Sequence, residues 1–252
     1  MYFDTHTHLD DARFDEDREA VIEKVYQSGV TLAVNIGADM ESSHVSADLA
    51  LQHDFLYAAV GVHPHEVENL TEEDMETLKQ LADSKKVVAI GEIGLDYYYD
   101  NAPREKQKQW FLRQIELAKE LGLPYIVHDR DAHADTMEII KKSGYFRGVL
   151  HCFSGSVQMM QELVSMGFYI SFAGPVTFKN GKKAKEVAAL VPLDRILIET
   201  DSPYLTPEPH RGERNDSSMV RFVCQELAQI RGLSEAEMAQ ITMENGKRFF
   251  GI

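Results

Sequence analysis

The sequence predicts an α/β protein: a single (β/α)8 TIM barrel with an extra helix at the C-terminus. Three observations lead there. Eight short apolar runs alternate with longer helical patterns along the chain. Most of the short runs are apolar at every position, the mark of strands covered on both faces. The whole pattern fills 252 residues, the usual length of one closed barrel.

In chain order, the strand at 2–7 leads to a helix at 16–28, and the strand at 31–36 to a helix at 40–53. The strands at 56–62 and 87–93 precede helices at 72–83 and 105–121. Those at 124–128 and 148–152 precede helices at 134–142 and 157–165. The strand at 168–172 precedes a helix at 182–190, and the strand at 195–200 is followed by helical stretches at 217–231 and 235–249. Strands that alternate with helices form parallel βαβ units, and eight of them favour closure. No Pro/Gly/Ser linker, low-complexity tract or repeat marks a second domain, so the expectation is one domain over 1–252. A doubly wound open sheet is the rival, and it requires a reversal of strand order.

Composition narrows the class. With 44% hydrophobic and 27% charged residues, the chain is of ordinary globular type and carries enough apolar material for a sizeable core. No apolar run reaches the length of a membrane span, and MYFDTHTHLD has no basic segment leading into an apolar stretch. The only two cysteines, Cys152 and Cys224, fit thiols in a reducing compartment better than a disulfide framework, so the cytoplasm is the expected location; a monomer is expected as well. A net charge of −15 argues against coating nucleic acid by bulk electrostatics, because that binding rests on Lys and Arg. It leaves room for an enzyme whose metals and a few local cations meet phosphates.

Residues with metal-ligand character recur at strand ends. His6 and His8 close the first strand at positions i and i+2, which point to one side. Glu92 interrupts the apolar strand AIGEIGLD, where a carboxylate is costly unless paired or metal-bound, and Gly91 and Gly94 permit close backbone approach. His128 ends IVHDRD, His151 ends VLHCFSG, and Asp201 ends ILIETD. Five strands thus deliver His, Glu, His, His and Asp to the edge where such barrels place active sites. Donors of N and O type without thiolates indicate Zn²⁺, Mn²⁺ or Mg²⁺.

Taken together, FDTHTHLD, GVHPH, AIGEIGLDYY, LPYIVHDRDA, HCFSG, SFAGPVTFK and ILIETDSPYL with RGERN resemble the TatD family of metal-dependent deoxyribonucleases, among the amidohydrolase-like barrels. The resemblance runs in order from about Phe3 to Asn215. It implies a first metal on His6, His8, Glu92 and Asp201, and a second on Glu92, His128 and His151. It also implies that His63, in GVHPH, sits near the scissile phosphate. Asp201 is either ligand and general base or ligand alone. His65 is a substrate contact or a loop histidine. Arg130, Arg211, Arg214 and Asn215 are phosphate-binding groups or members of loop salt bridges, and Lys179 is a further substrate candidate. Tyr97, Tyr98 and Tyr99 either stack on bases or pack the barrel mouth. After RGERN the family continues with a Glu/Pro turn where this chain has Asp216-Ser217-Ser218, which alters the shape of that loop.

Other residues are read as structural. Strand alternation turns Cys152 away from His151, Cys224 belongs to an apolar helix face, and His44 and His53 lie away from strand ends. The glycines of GEIGLD lack the strand-to-helix GxGxxG arrangement, so no dinucleotide site is expected. The expected activity is exonucleolytic hydrolysis of single-stranded DNA with a metal-activated water. The alternatives are an amidohydrolase or esterase, such as one acting on aminoacyl-tRNA, and a non-catalytic binding module. Glu92 stands where many amidohydrolases carry a modified bridging lysine, which favours phosphodiester chemistry.

Overall fold

The computed structural model describes residues 1–252. Its strands are β1 (Tyr2–Thr7), β2 (Val30–Ile36), β3 (Leu56–Val60), β4 (Val87–Asp96), β5 (Tyr125–Arg130), β6 (Gly148–Leu150), β7 (Tyr169–Phe172) and β8 (Ile196–Ile198). They form one sheet in sequence order. The pairs β1–β2, β3–β4, β4–β5, β5–β6 and β7–β8 are all parallel. Residues beyond β8 return to the first strand: Asp201 donates its N–H to the His6 carbonyl at 2.9 Å, and His8 donates to the Ser202 carbonyl at 2.8 Å. This is the (β/α)8 barrel order, and the rival's reversal of strand order does not occur.

The helices are α1 (Arg18–Gln27), α2 (Met40–Gln52), α3 (Glu72–Leu81), α4 (Arg104–Leu121), α5 (His133–Ser143), α6 (Val157–Met166), α7 (Lys182–Leu190), α8 (Val220–Arg231) and α9 (Glu235–Phe250). Two compact units are distinguished: Met1–Asn35 with His151–Ile252, and Ile36–Leu150.

In the first unit, Phe3, Phe168, Phe172 and the three residues of β8 are buried. The C-terminal helix α9 packs on β1, with Phe3 and Phe250 ring centroids 5.7 Å apart. Gly246 makes that approach possible, because a Cβ there would lie 2.5 Å from the Phe3 ring. A capping box opens α9: Ser234 Oγ accepts the Glu237 N–H at 3.2 Å, and Glu237 accepts the Ser234 N–H at 2.9 Å. Cys224, fully buried on α8, has its thiol pushed up to about 12 by burial, as befits an inert core cysteine.

In the second unit, all ten residues of β4 are buried. Gly94 is required there: it has φ +147°, and a Cβ would sit 2.0 Å from the His128 carbonyl oxygen. Two fully buried glutamines of α4 brace the loops above the strands. Gln107 accepts the Asp96 N–H at 2.9 Å, and Gln114 accepts the Val62 N–H at 2.8 Å and donates to the Val62 carbonyl at 3.0 Å.

Strand ends are where expectation and structure differ. The third, sixth and eighth strands stop at Val60, Leu150 and Ile198, two residues short of the expected ends, while β4 and β5 run on to Asp96 and Arg130. Cys152 (φ +41°) and Asp201 (φ +57°) have left the extended region, so the ladder cannot continue through them. The alternation used to orient Cys152 therefore does not apply; its N–H donates to the Glu199 carboxylate at 2.7 Å.

Gly246→Val should drive a side chain into the Phe3 ring and cost about 1–3 kcal/mol, roughly 2–10 °C in Tm at this chain length. Differential scanning calorimetry checks this, and an unchanged Tm would contradict the packing described.

Candidate metal centre

In the first unit the loop after β8 bends back to β1 and brings three donors together. His6 is fully buried and His8 nearly so. Their Nε2 atoms lie 3.1 Å apart, and Asp201 Oδ1 stands 3.6 Å from the first and 3.5 Å from the second. A tetrahedral ion with bonds of about 2.0–2.2 Å sets its ligand atoms roughly 3.3–3.6 Å apart; both distances to Asp201 match that spacing and the histidine pair stands slightly closer, so the three donors can converge on one divalent cation. Burial pushes the Asp201 carboxyl up, but a hydrogen bond with His8 and the His6 and His151 imidazoles outweigh it and hold it below the usual carboxylate range.

His151, at the turn after β6, stacks its ring on His6 with centroids 4.1 Å apart. Its Nδ1 lies 3.3 Å from Glu199 Oε1. His6, His151 and Glu199 each offer a ligand atom within 4.8 Å of the others. Beneath them, Asp4 accepts from the Thr200 N–H at 2.9 Å, the Thr200 hydroxyl at 2.6 Å and the His6 N–H at 3.3 Å. Burial raises its carboxyl to about 7, against the opposing pull of these hydrogen bonds.

In the second unit, Glu92 Oε1 lies 2.7 Å from His128 Nδ1 and 3.8 Å from His63 Nε2. His128 Nε2 in turn lies 3.1 Å from Asp96 Oδ2, and His65 Nε2 is 3.0 Å from the same oxygen. Burial pushes the Asp96 carboxyl up, but the His128 hydrogen bond, the Tyr99 amide and the two histidines hold it well below the ordinary range. A neutral imidazole carries one N–H, yet both nitrogens of His128 face carboxylate oxygens. One of those contacts needs an added proton or a metal ion, so His63, Glu92 and His128 also fit a cation.

Of the remaining candidates, Arg214 pairs with Asp17 at 2.6 Å and 2.9 Å, the loop salt bridge that the sequence left open. Arg211 lies 3.8 Å over the Phe178 ring, and Lys179 is exposed beside it in sequence. Asn215 is buried and donates to the Thr200 and Tyr204 carbonyls at 3.0 Å and 2.6 Å, which shapes the loop after β8. Arg130 stacks on Tyr98 and Tyr99, whereas Tyr97 donates its hydroxyl to Asp135 at 2.6 Å.

Sequence reasoning missed Glu199, Asp96 and Asp4. Glu199 and Asp96 had a usable signal: each is a carboxylate at i±2 or i+4 of a recognised one, in an otherwise apolar strand end. Asp4 had the same signal at i−2 of His6.

The family model described as TatD related DNase matches residues 3–251. The chain is 47% identical to a Bacillus subtilis protein named uncharacterized metal-dependent hydrolase YabD, over 100% of each. It is 34% identical to a protein of Erwinia tasmaniensis named 3'-5' ssDNA/RNA exonuclease TatD, over 99% of this chain and 100% of the other. The crystal structure of the TatD homologue YjjV of Escherichia coli superposes with a TM-score of 0.93 at 33% identity, covering 100% of this chain and 98% of that one.

Mn²⁺ or Zn²⁺ at 100 times its dissociation constant should stabilise the protein by about 2.7 kcal/mol, and EDTA should reverse the gain in Tm. His6→Ala and His128→Ala should each lower the metal content read by plasma mass spectrometry; full content in both would contradict the donor sets. Asp96→Asn, which spares every expected ligand, should weaken metal affinity about 10–100-fold in a competition titration, and no change would remove Asp96 as the group that orients His128.

Proposed function

The chain belongs to the TatD family, and from that premise we propose that it is a metal-dependent hydrolase of phosphodiester bonds, an exonuclease on single-stranded or frayed DNA. The observation that carries the reading is the pair of buried histidine–carboxylate clusters at the ends of β1 and β8 and of β4 and β5. The ligand set that the family resemblance implies, His6, His8, Glu92, His128, His151 and Asp201, would hold two divalent ions, Mg²⁺, Mn²⁺ or Zn²⁺. Such ions, when bound, polarise a phosphodiester oxygen and acidify water.

The chain's own groups account for one proton transfer and for the phosphate contacts. Asp201, kept ionised by its three imidazole neighbours, accepts the proton of the attacking water. His63 Nδ1 accepts the His65 backbone N–H at 3.2 Å, so its proton sits on Nε2. That Nε2–H, 3.8 Å from Glu92 Oε1, is the group that would turn to a phosphate oxygen, in which case Glu92 and His128 hold the cation without it. Arg130, exposed at the end of β5, offers a guanidinium to the next phosphate. Arg130 and the ions the site would hold answer the difficulty raised by a net charge of −15, since phosphate contacts are needed only along the reacting strand.

The DNA assignment is supported by the description of the matching family model and by the name of the Erwinia relative. Glu92 in β4, where a modified lysine would indicate carbonyl chemistry, favours phosphorus over carbon.

End-labelled single-stranded DNA with each of the three metals tests this reading. Stepwise shortening is expected from the wild type and none from Glu92→Ala. Asp201→Asn should lower kcat by about 10²–10⁴-fold if it takes the proton; full activity with metal retained would assign it a ligand role alone. Absence of cleavage by protein shown to hold two metals would overturn the nuclease reading in favour of a carbonyl substrate.

A further inference from the structure

Two consecutive tyrosines stand exposed where β4 ends. Tyr98 is 58% exposed and Tyr99 56%, in a protein that otherwise buries most of its aromatic rings. Their rings meet edge to face, with centroids 4.9 Å apart and planes at 88°. Asp96 sets this geometry: its Oδ1 accepts the backbone N–H of Tyr98 at 3.0 Å and that of Tyr99 at 2.9 Å. The same carboxylate meets His128 through its other oxygen. The tyrosine turn and the donor cluster are thus tied to one side chain. His65 completes the connection, with its ring edge-on to Tyr99 at 5.5 Å.

Arg130 lies over both rings, 4.0 Å from the Tyr98 centroid and 4.7 Å from that of Tyr99. Four other arginines of this acidic chain are held differently. Arg18, Arg104, Arg113 and Arg214 are each drawn into a carboxylate pair. Arg130, two residues beyond His128 on the same strand, is held by aromatic faces instead and forms no ion pair with an acid of the protein. Tyr97 does not join the platform, because its hydroxyl is bound to Asp135 and its side chain is only partly exposed.

We propose that Tyr98 and Tyr99 form a stacking platform for a nucleobase of a single-stranded substrate, with Arg130 bridging from the rings to that nucleotide's phosphate. This rests on the nuclease reading and adds to it the subsite that holds the base. An exposed aromatic face beside a guanidinium is the combination that sequence-tolerant single-strand binders use: every base has a π-face, and every nucleotide has a phosphate. A platform of this kind recognises the base without reading its hydrogen-bonding edge. It therefore predicts a requirement for a base at that position and little preference among bases. It also predicts discrimination against duplex, whose bases are already stacked. Tyr98, the more exposed ring, is the main face, and Tyr99 is its support against His65.

The test compares two fluorescent probes by anisotropy on the metal-loaded protein, both with phosphorothioate linkages that resist cleavage: an octamer of thymidylate, and the same octamer with abasic sugars throughout. Wild-type protein should bind the thymidylate octamer about 5- to 150-fold more tightly, the equivalent of the about 1–3 kcal/mol that base–aromatic stacking is worth. Tyr98→Ala should erase that difference while leaving the abasic probe's affinity unchanged, and Tyr98→Phe, which keeps the face, should restore it. The ring is exposed, so the variants should keep the wild-type Tm, and this is measured alongside. Equal affinities of wild type for the two probes, or equal losses on both in Tyr98→Ala, would overturn the platform. Failure to bind either probe would overturn it as well. A base-dependent affinity in a protein that cleaves no DNA would instead keep the platform and overturn the nuclease reading.

Discussion

Ionised carboxylates do not stay in an apolar strand end without a partner, and this constraint organises the protein. Glu92, Asp96 and Glu199 are almost fully buried and Asp201 largely so; Asp4, fully buried, meets the same constraint with a carboxyl raised by burial. An unpaired charge at such depth costs several kcal/mol. The chain meets that cost with imidazoles and hydrogen bonds. Each of these carboxylates lies against a histidine ring or accepts backbone and hydroxyl donors. A neutral imidazole only partly compensates a carboxylate. A divalent cation among these donors would complete the compensation, which is why the arrangement reads as a metal centre and not as a set of stabilising ion pairs.

The fold serves that arrangement by ending its strands early and holding the loops firmly. Asp201 and Cys152 adopt positive φ just where their strands stop, a conformation that costs a non-glycine residue about 1–3 kcal/mol. At Asp201 the bend aims the carboxylate at His6 and His8. At Cys152 it delivers a backbone N–H to Glu199. In the second unit the glutamines of α4 do comparable work without backbone strain, because each binds the main chain of a loop that carries a donor. Gly94 lets β4 approach β5 closely enough for Glu92 and His128 to meet. Stability is given up locally at the strand ends and supplied elsewhere, by the aromatic core between β1 and α9 and by the capped helices.

Much of this was legible in the sequence, for identifiable reasons. The alternation of apolar runs and helical patterns specifies the order of elements, because parallel βαβ units leave few topologies. His6, His8, Glu92, His128, His151 and Asp201 stood out because each interrupts an apolar strand end with a metal-ligand side chain. Asp96, Glu199 and Asp4 carry a weaker signal, since each reads as a neighbour of a recognised donor, and three-dimensional contacts show what it meets. Arg214 and Asn215 looked as suited to phosphate as Arg130 did. The choice between substrate contact and local support depends on Asp17 and on the Tyr204 carbonyl, distant partners that no local pattern announces. The strand limits differ from the sequence pattern for a related reason: β-forming side chains run on through positions where the backbone turns over.

The central claim, that these buried donors are a cation site, is tested most directly by anomalous diffraction from crystals soaked in Mn²⁺ or Zn²⁺, recorded at the absorption edge of the metal used. The account predicts anomalous density bonded to His6, His8 and Asp201, and to Glu92 and His128. Density confined to exposed acidic residues, or none at all in fully soaked crystals, would contradict it.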